Sequence, residues 1–231
     1  MGDDRSTKKY VLAASRAWYG GMAGALEQSL GRPFIAIGTA DELTLDRLTA
    51  VSPRYVFFPH WSTRIPSEVF QRFECVIFHM TDVPFGRGGS PLQNLIARGI
   101  HETKISALRC SQDLDAGPVY LKQPLSLYGT AEEIYMRAAN LIQHMIADIV
   151  EREPAPVDQT GQPTIFRRRT PPESDIAEVG NLEQLFDHIR MLDADGYPHA
   201  FLETKHFRLE FRRASLKQYG IVADVVITKK I

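Results

Sequence analysis

The stretch CVIFHMTDVPFGRGGSP, Cys75 to Pro91, changes character at His79. Before it, Cys75-Val-Ile-Phe78 is apolar at every position instead of alternating, the pattern of a strand covered on both faces and hence of a parallel sheet. After it, the chain becomes a loop rich in Gly and Pro. Open parallel sheets bind ligands at the carboxyl ends of their strands, so His79 stands where chemistry is expected. Gly86, Gly88 and Gly89 allow close backbone approach or positive φ. Arg87, among them, can hold a phosphate or carboxylate through its fork of donors.

Upstream, the same all-apolar pattern recurs in Tyr10–Ala14 (YVLAA), Phe34–Gly38 (FIAIG) and Tyr55–Phe58 (YVFF). Helical stretches are expected between them at Met22–Leu30, Asp41–Ala50 and Pro66–Phe73. Strands alternating with helices imply right-handed crossovers. The fold class expected is α/β: a Rossmann-like, mostly parallel sheet with helices on both faces. Downstream, a short helix at Leu92–Arg98 precedes strands at Lys104–Leu108 and Val119–Lys122. A long helix then opens with a capping box at Thr130 and Glu133. Its apolar face carries Ile134, Ala138, Leu141, Ile142, Met145, Ile146 and Ile149. The Pro-rich run to Pro163 reads as a linker. The rest holds a helix at Leu182–Met191 and short strands near 207–211 and 221–228. These elements divide the chain into a catalytic domain, 1–160, and a small C-terminal α+β subdomain, 161–231.

Composition excludes several classes. The 231 residues are 44% hydrophobic and 24% charged, ordinary globular values. No run approaches the roughly 18 apolar residues of a membrane span. The start, MGDDRSTKKY, does not read as a secretory signal. Gly2 and Ser6 fit a loose N-myristoylation pattern, short enough to arise by chance. Two cysteines, Cys75 and Cys110, are too few for a disulfide framework or a Cys-rich zinc site, so no metal is expected and a reducing cytoplasm is the default. A net charge of −1 gives no general pull toward nucleic acid or anionic membrane.

A second chemical feature is Asp113-Leu-Asp-Ala-Gly-Pro118, where Asp115 precedes a tight turn. A His and an Asp at neighbouring strand ends make an acid–base pair, the carboxylate orienting the imidazole. Each has a plainer reading: a loop His with one hydrogen bond, and an Asp that forms a turn. The glycines match neither dinucleotide nor Walker spacing. The residues alone reach an α/β enzyme with its ligand site after the fourth strand.

The run His79-x-Thr81-x-x-Pro84-x-x-Arg87-Gly88-x-x-Pro91-x-Gln93 resembles the catalytic loop of the N10-formyltetrahydrofolate-dependent formyltransferases. That family includes methionyl-tRNA formyltransferase, glycinamide ribonucleotide formyltransferase and the nucleotide amino-sugar N-formyltransferases. Thr103-Lys-Ile-Ser-Ala-Leu followed by Leu114-Asp115-Ala116-Gly117-Pro118 is similar to the family's second segment. Ile189-Arg190 with Tyr197-Pro198-His199-Ala200-Phe201 is similar to a stretch of its sugar and tRNA members. The resemblance spans roughly residues 8 to 203.

The resemblance implies N10-formyltetrahydrofolate as co-substrate and tetrahydrofolate as product, with His79 and Asp115 catalytic. The family's catalytic Asn falls at Ile77, which donates no hydrogen bond. His60, in Phe58-Pro-His-Trp61, is the first candidate to replace it; Asn94 and Thr81 follow. The pterin is expected near Phe58, Pro59 and the turn from Arg109 through Asp113 to Leu114. Arg87, Gly88 and Thr81 are expected to face the acceptor. Trp18 and Tyr19 either stack on a base or sugar or pack the core.

For the acceptor, the reading favours a nucleotide-linked amino sugar of the pseudaminic-acid type. Transfer RNA calls for a basic surface, and acids around 173–195 offset Arg167–Arg169 and the stretch Lys205–Lys217. Methionyl-tRNA and glycinamide ribonucleotide remain the alternative acceptors. Ile77 also motivates a catalytically inactive folate- or nucleotide-binding protein. No membrane partner is expected, and Ile221–Ile227 can serve as a homodimer edge.

Overall fold

A computed structural model describes residues 8–230. The pattern at Gly2 and Ser6 lies outside them. The first half alternates as its sequence predicts: β1 (Tyr10–Ala14), α1 (Met22–Leu30), β2 (Phe34–Ile37), α2 (Leu45–Val51), β3 (Tyr55–His60), α3 (Ser67–Arg72) and β4 (Cys75–His79). A two-residue strand β5 (Arg87–Gly88) and α4 (Pro91–Ile96) follow, then β6 (Glu102–Arg109), β7 (Val119–Ser126) and α5 (Ala131–Arg152). One sheet forms in the order β2-β1-β3-β4-β6-β7. Its first four strands run parallel; β6 is antiparallel to both β4 and β7.

The all-apolar strands are explained by two cores, one on each face. Tyr10, Leu12, Phe57, Val76 and Phe78 point to the face covered by α1 and α5. Val11, Ala13, Val56, Phe58 and Cys75 point to the other, against Leu48 of α2 and Val69 of α3. Truncating a fully buried residue such as Leu48 to Ala typically costs about 2–5 kcal/mol. The long helix α5 opens as its capping box requires: Glu133 N donates to Thr130 Oγ1 at 3.2 Å and Thr130 N to Glu133 Oε2 at 2.7 Å. α2 departs from expectation by starting at Leu45, four residues after Asp41. Glu42 is occupied in a turn, accepting from Gly38 N and Thr39 N, and Thr44 is the residue that caps the helix.

One irregularity sets the site. β1 and β3 slip register between Leu12↔Phe57 and Ala14↔His60, giving β3 one extra residue. Such a bulge re-aims the side chain that follows it. By strict alternation His60 would face the second core; the extra residue turns it to the α5 side.

The Pro-rich run after α5 is no free linker. Val157 and Val119 exchange backbone hydrogen bonds of 2.7 and 2.9 Å, and Thr164 O accepts from Gly86 N and Arg87 N. The next strand, β8 (Ile165–Phe166), pairs in parallel with β5. Gly88 has φ of +108°, and a Cβ there would lie 2.3 Å from Phe166 O, so only glycine fits this crossing.

The C-terminal part contains α6 (Leu182–Arg190) and a three-stranded antiparallel sheet of β9 (Ala200–Glu203), β10 (Phe207–Lys217) and β11 (Gly220–Lys229), ordered β11-β10-β9. β9 carries no strand signal of its own in the sequence, and β10 and β11 run longer than their sequence pattern predicts. β11 is an edge strand that leaves Val222 and Ile227 exposed. Among the described residues no helix is long and apolar enough to cross a membrane.

Candidate active site

β4 delivers His79 to the carboxyl edge of the sheet, where it is buried. Its Nε2 lies 2.7 Å from Gly86 O. A carbonyl only accepts, so Nε2 holds the proton and Nδ1 is the nitrogen left for chemistry. Nδ1 faces Asp115 Oδ2 at 3.5 Å, and Asp115 is equally buried. A proton arriving at Nδ1 therefore meets a carboxylate. That separation is long for a hydrogen bond, as is common before substrate tightens a site. Asp115 also accepts from Gly88 N at 3.0 Å and sits at φ of +52°, in the left-handed region. Held strain of this kind clusters at functional turns. The turn is tight for a second reason: a Cβ on Gly117 would lie 1.8 Å from Arg109 O.

The loop after His79 is pinned from below. Ser106 Oγ donates to Thr81 O at 2.7 Å, and Asp82 pairs with Lys104 at 2.9 Å and Lys122 at 2.5 Å. Arg87 donates from Nε and Nη2 to Gln159 Oε1, at 3.0 and 2.8 Å. Gln159 Nε2 in turn donates to Asp115 O and Gly117 O, at 2.9 and 2.7 Å. Gln159 was missed from sequence because it lies in the apparent linker and carries no local signal.

Several expected site residues stand elsewhere. Thr81 is fully buried and its hydroxyl donates to Gly86 O, so it braces the loop and meets no acceptor. Asn94 donates to Gly89 O, Ser90 O and Arg167 O, and so cannot fill the slot at Ile77. Arg87 has two of its donor nitrogens committed to Gln159. His60 lies in an aromatic nest: Trp18, Tyr19 and Tyr135 surround its ring at 5.7–6.2 Å. Burial, helped by the Arg16 guanidinium, pushes its pKa down to about 4. Trp18 and Tyr19 thus pack the core, Trp18 stacking on Tyr135 and Tyr135 on Tyr197.

Ile77 points to the same face as His79 and packs, half-buried, on the second core with Phe58, Trp61 and Cys110. In that cluster the indole Nε1 of Trp61 is buried without a partner. Cys110 is no rival nucleophile, since burial, reinforced by the Asp115 charge, pushes its thiol up to about 11. The Arg109 guanidinium is spent on Glu74 at 2.6 Å and on Tyr120, while its backbone N–H and carbonyl meet the turn at Pro118 and Gly117. Asp113 is exposed and Leu114 stands 69% exposed at the tip, whereas Phe58 and Pro59 are buried.

A cavity of about 980 Å³ opens elsewhere, lined by Arg98, His101, Tyr128, Glu183 and His188 among others. Neither His79 nor Asp115 lines it. The paired imidazole and carboxylate, a base beside its orienting group, make the candidate site, and this cavity lies apart from it.

A family model described as the C-terminal domain of methionyl-tRNA formyltransferase matches residues 171–228. A methionyl-tRNA formyltransferase of Wolinella succinogenes is 25% identical over 162 residues, 68% of this chain and 52% of that protein. The chain thus spans about half the length of that curated relative. A solved structure titled methionyl-tRNA formyltransferase from Clostridium thermocellum is 46% identical, with a TM-score of 0.94, covering 96% of this chain and 100% of that one. A sugar N-formyltransferase from a Shewanella species shares the fold at a TM-score of 0.70 and 14% identity, over 91% of this chain and 99% of that one.

Proposed function

This chain belongs to the formyltransferase family, whose donor is N10-formyltetrahydrofolate, and on that premise we propose that it transfers the formyl group to the amine of an acceptor, methionyl-tRNA first among them. The buried pair of His79 and Asp115 carries this reading. The donor supplies a formyl carbon open to attack by a neutral amine. His79 Nδ1 accepts the proton that the attacking amine releases, and Asp115 holds the resulting imidazolium in place. The same nitrogen returns that proton to the departing amine. Developing oxyanion charge needs preorganised donors, and with Ile77 in the family's Asn position that donor has to come from another group.

The residues present fit a flat folate ring. Leu114 offers an uncovered apolar group directly beside Asp115, the carboxylate partner of Gly88, at the same turn tip, and the partnerless Trp61 Nε1 lies in the apolar cluster that Ile77 also packs against. Fixed polar groups against apolar walls are what such a ligand requires.

The acceptor preference reverses the one drawn from composition. Identity of 46% over the whole of a chain titled methionyl-tRNA formyltransferase supports methionyl-tRNA. A nucleotide-linked amino sugar is the second reading. It is favoured by one observation: the basic groups of the C-terminal sheet are largely paired internally, Arg208 with Glu203 and Glu210, Arg213 with Asp224, and Lys230 with Glu203. Incubation with N10-formyltetrahydrofolate and either methionyl-tRNA or a panel of nucleotide-linked amino sugars separates them. Tetrahydrofolate release with formylmethionyl-tRNA formation is expected. Release with a sugar alone would reassign the acceptor, and no release with any amine would leave a folate-binding protein.

A further inference from the structure

Gln159 lies in a stretch that neither its composition nor its distance from His79 in sequence connects with the site. Its amide nonetheless makes four hydrogen bonds of 2.7–3.0 Å, two as acceptor from Arg87 and two as donor to Asp115 O and Gly117 O. We propose that Gln159 is a positioning residue for the formyl-transfer step, tying the loop that orients His79 to the turn that carries Asp115. This rests on the transfer reading above.

The argument is one of geometry. His79 is held by two partners that come from two different segments. Gly86 O, in the loop after β4, fixes Nε2; Asp115, in the turn between β6 and β7, faces Nδ1. Across the pair, Gly88 N supplies one direct link to the Asp115 carboxylate. Gln159 supplies the other, at the level of the backbone. It reaches the loop through Arg87, adjacent to both Gly86 and Gly88, and the turn through the carbonyls on either side of Ala116. Asp115 itself occupies a left-handed backbone conformation that a non-glycine residue leaves readily when unsupported. Capping its carbonyl and that of Gly117 keeps the carboxylate aimed at Nδ1. Only an amide does this. An Arg fork needs an acceptor and two carbonyls need donors, and of the neutral side chains of this length glutamine alone presents both.

Because the His79–Asp115 contact is already 3.5 Å, further drift has a direct chemical consequence. A misplacement of about 1 Å costs on the order of 10²-fold in rate, with ground-state binding largely spared. Two variants test the role. Gln159→Met keeps length and removes all four hydrogen bonds. Gln159→Glu keeps the acceptor for Arg87 and sets a carboxylate against two carbonyls.

In Gln159→Met, kcat is expected to fall about 10–100-fold with KM for donor and acceptor within about threefold. Gln159→Glu is expected to lose as much near neutral pH and to recover part of it as the pH falls and the carboxyl gains a donor proton. Circular dichroism and thermal unfolding confirm that each variant folds. A folded Gln159→Met with kcat within twofold of wild type overturns the proposal, as does a loss confined to KM or a Gln159→Glu deficit flat across pH. Nitrogen chemical shifts of the His79 imidazole, read by NMR without turnover, provide the second readout. They are expected to move in Gln159→Met and not in a distant surface variant; unmoved shifts overturn the proposal. If wild type transfers no formyl group, the transfer reading fails while this spectroscopic test still decides whether Gln159 sets the geometry of the pair.

Discussion

β3 and β4 are neighbours in the sheet, and each ends on a histidine. His79 meets a carbonyl and a carboxylate. His60 meets three aromatic rings and feels the charge of the Arg16 guanidinium. One extra residue in β3 accounts for the difference, because it rotates His60 from the face His79 uses to the face that α5 covers. The comparison teaches that nearness of strand ends does not place two side chains in one site. Which face each residue meets decides whether an imidazole is left facing polar partners or is packed among rings.

Substitutions at the two histidines should therefore separate sharply. His79→Asn and Asp115→Ala are each expected to lower kcat by about 10²–10⁴-fold with donor binding within about threefold, measured by tetrahydrofolate release and by equilibrium binding. His60→Phe is expected to lose less than about tenfold. Equal losses at His60 and His79 would erase the distinction.

The next effect is steric. Gly88→Ala puts a methyl group against Phe166 O and a side chain at a φ of +108°. It is expected to destabilise by about 2 kcal/mol or more in urea unfolding and to lower kcat as well. A normal kcat in that variant would detach the β5–β8 crossing from the site.

Acid stability probes the packed histidine. The pKa of His60 in the folded chain, about 4, lies below the ordinary value of 6.5. The unfolded chain binds the proton more readily, so the stability linked to His60 is fully present above about pH 6.5 and is lost as pH falls toward 4. The sum is on the order of 3 kcal/mol, and His60→Phe should flatten that part of the unfolding profile. An unchanged slope would mean the aromatic nest admits the charged ring. Smallest is Arg16→Ala. Arg16 lies over the Tyr197 ring at 5.2 Å, and its loss is expected to cost about 0.5–1 kcal/mol near neutral pH. It should also raise the His60 pKa somewhat, since burial remains the main cause and only the nearby charge is gone. A shift as large as that of His60→Phe would give the charge, not burial, the leading part.

Much of this was legible in sequence. All-apolar runs announced a sheet buried on both faces, and β1, β2, β3 and β4 lie where those runs stand. The pairing of His79 with Asp115 was also readable, because strand-end residues converge by topology. What escaped were features made between distant segments. The bulge that turns His60 leaves no mark in YVFFPH. Thr81 reads as a hydroxyl facing the acceptor until Gly86 O and Ser106 enclose it. Glu42 reads as the start of a helix until its carboxylate closes a turn on Gly38. Gln159 sits in a Pro-rich run whose composition describes a spacer, and β8 follows directly after it.

The parallel crossing of Arg87–Gly88 with Ile165–Phe166 also fixes an order of assembly during synthesis. The ribosome makes the loop long before the strand that clamps it. A nascent chain halted at the end of α5 holds every strand of the main sheet, yet Gly86, Arg87 and Gly89 still lack their backbone partners. The loop that follows His79 is thus completed only once the polypeptide has emerged past Phe166.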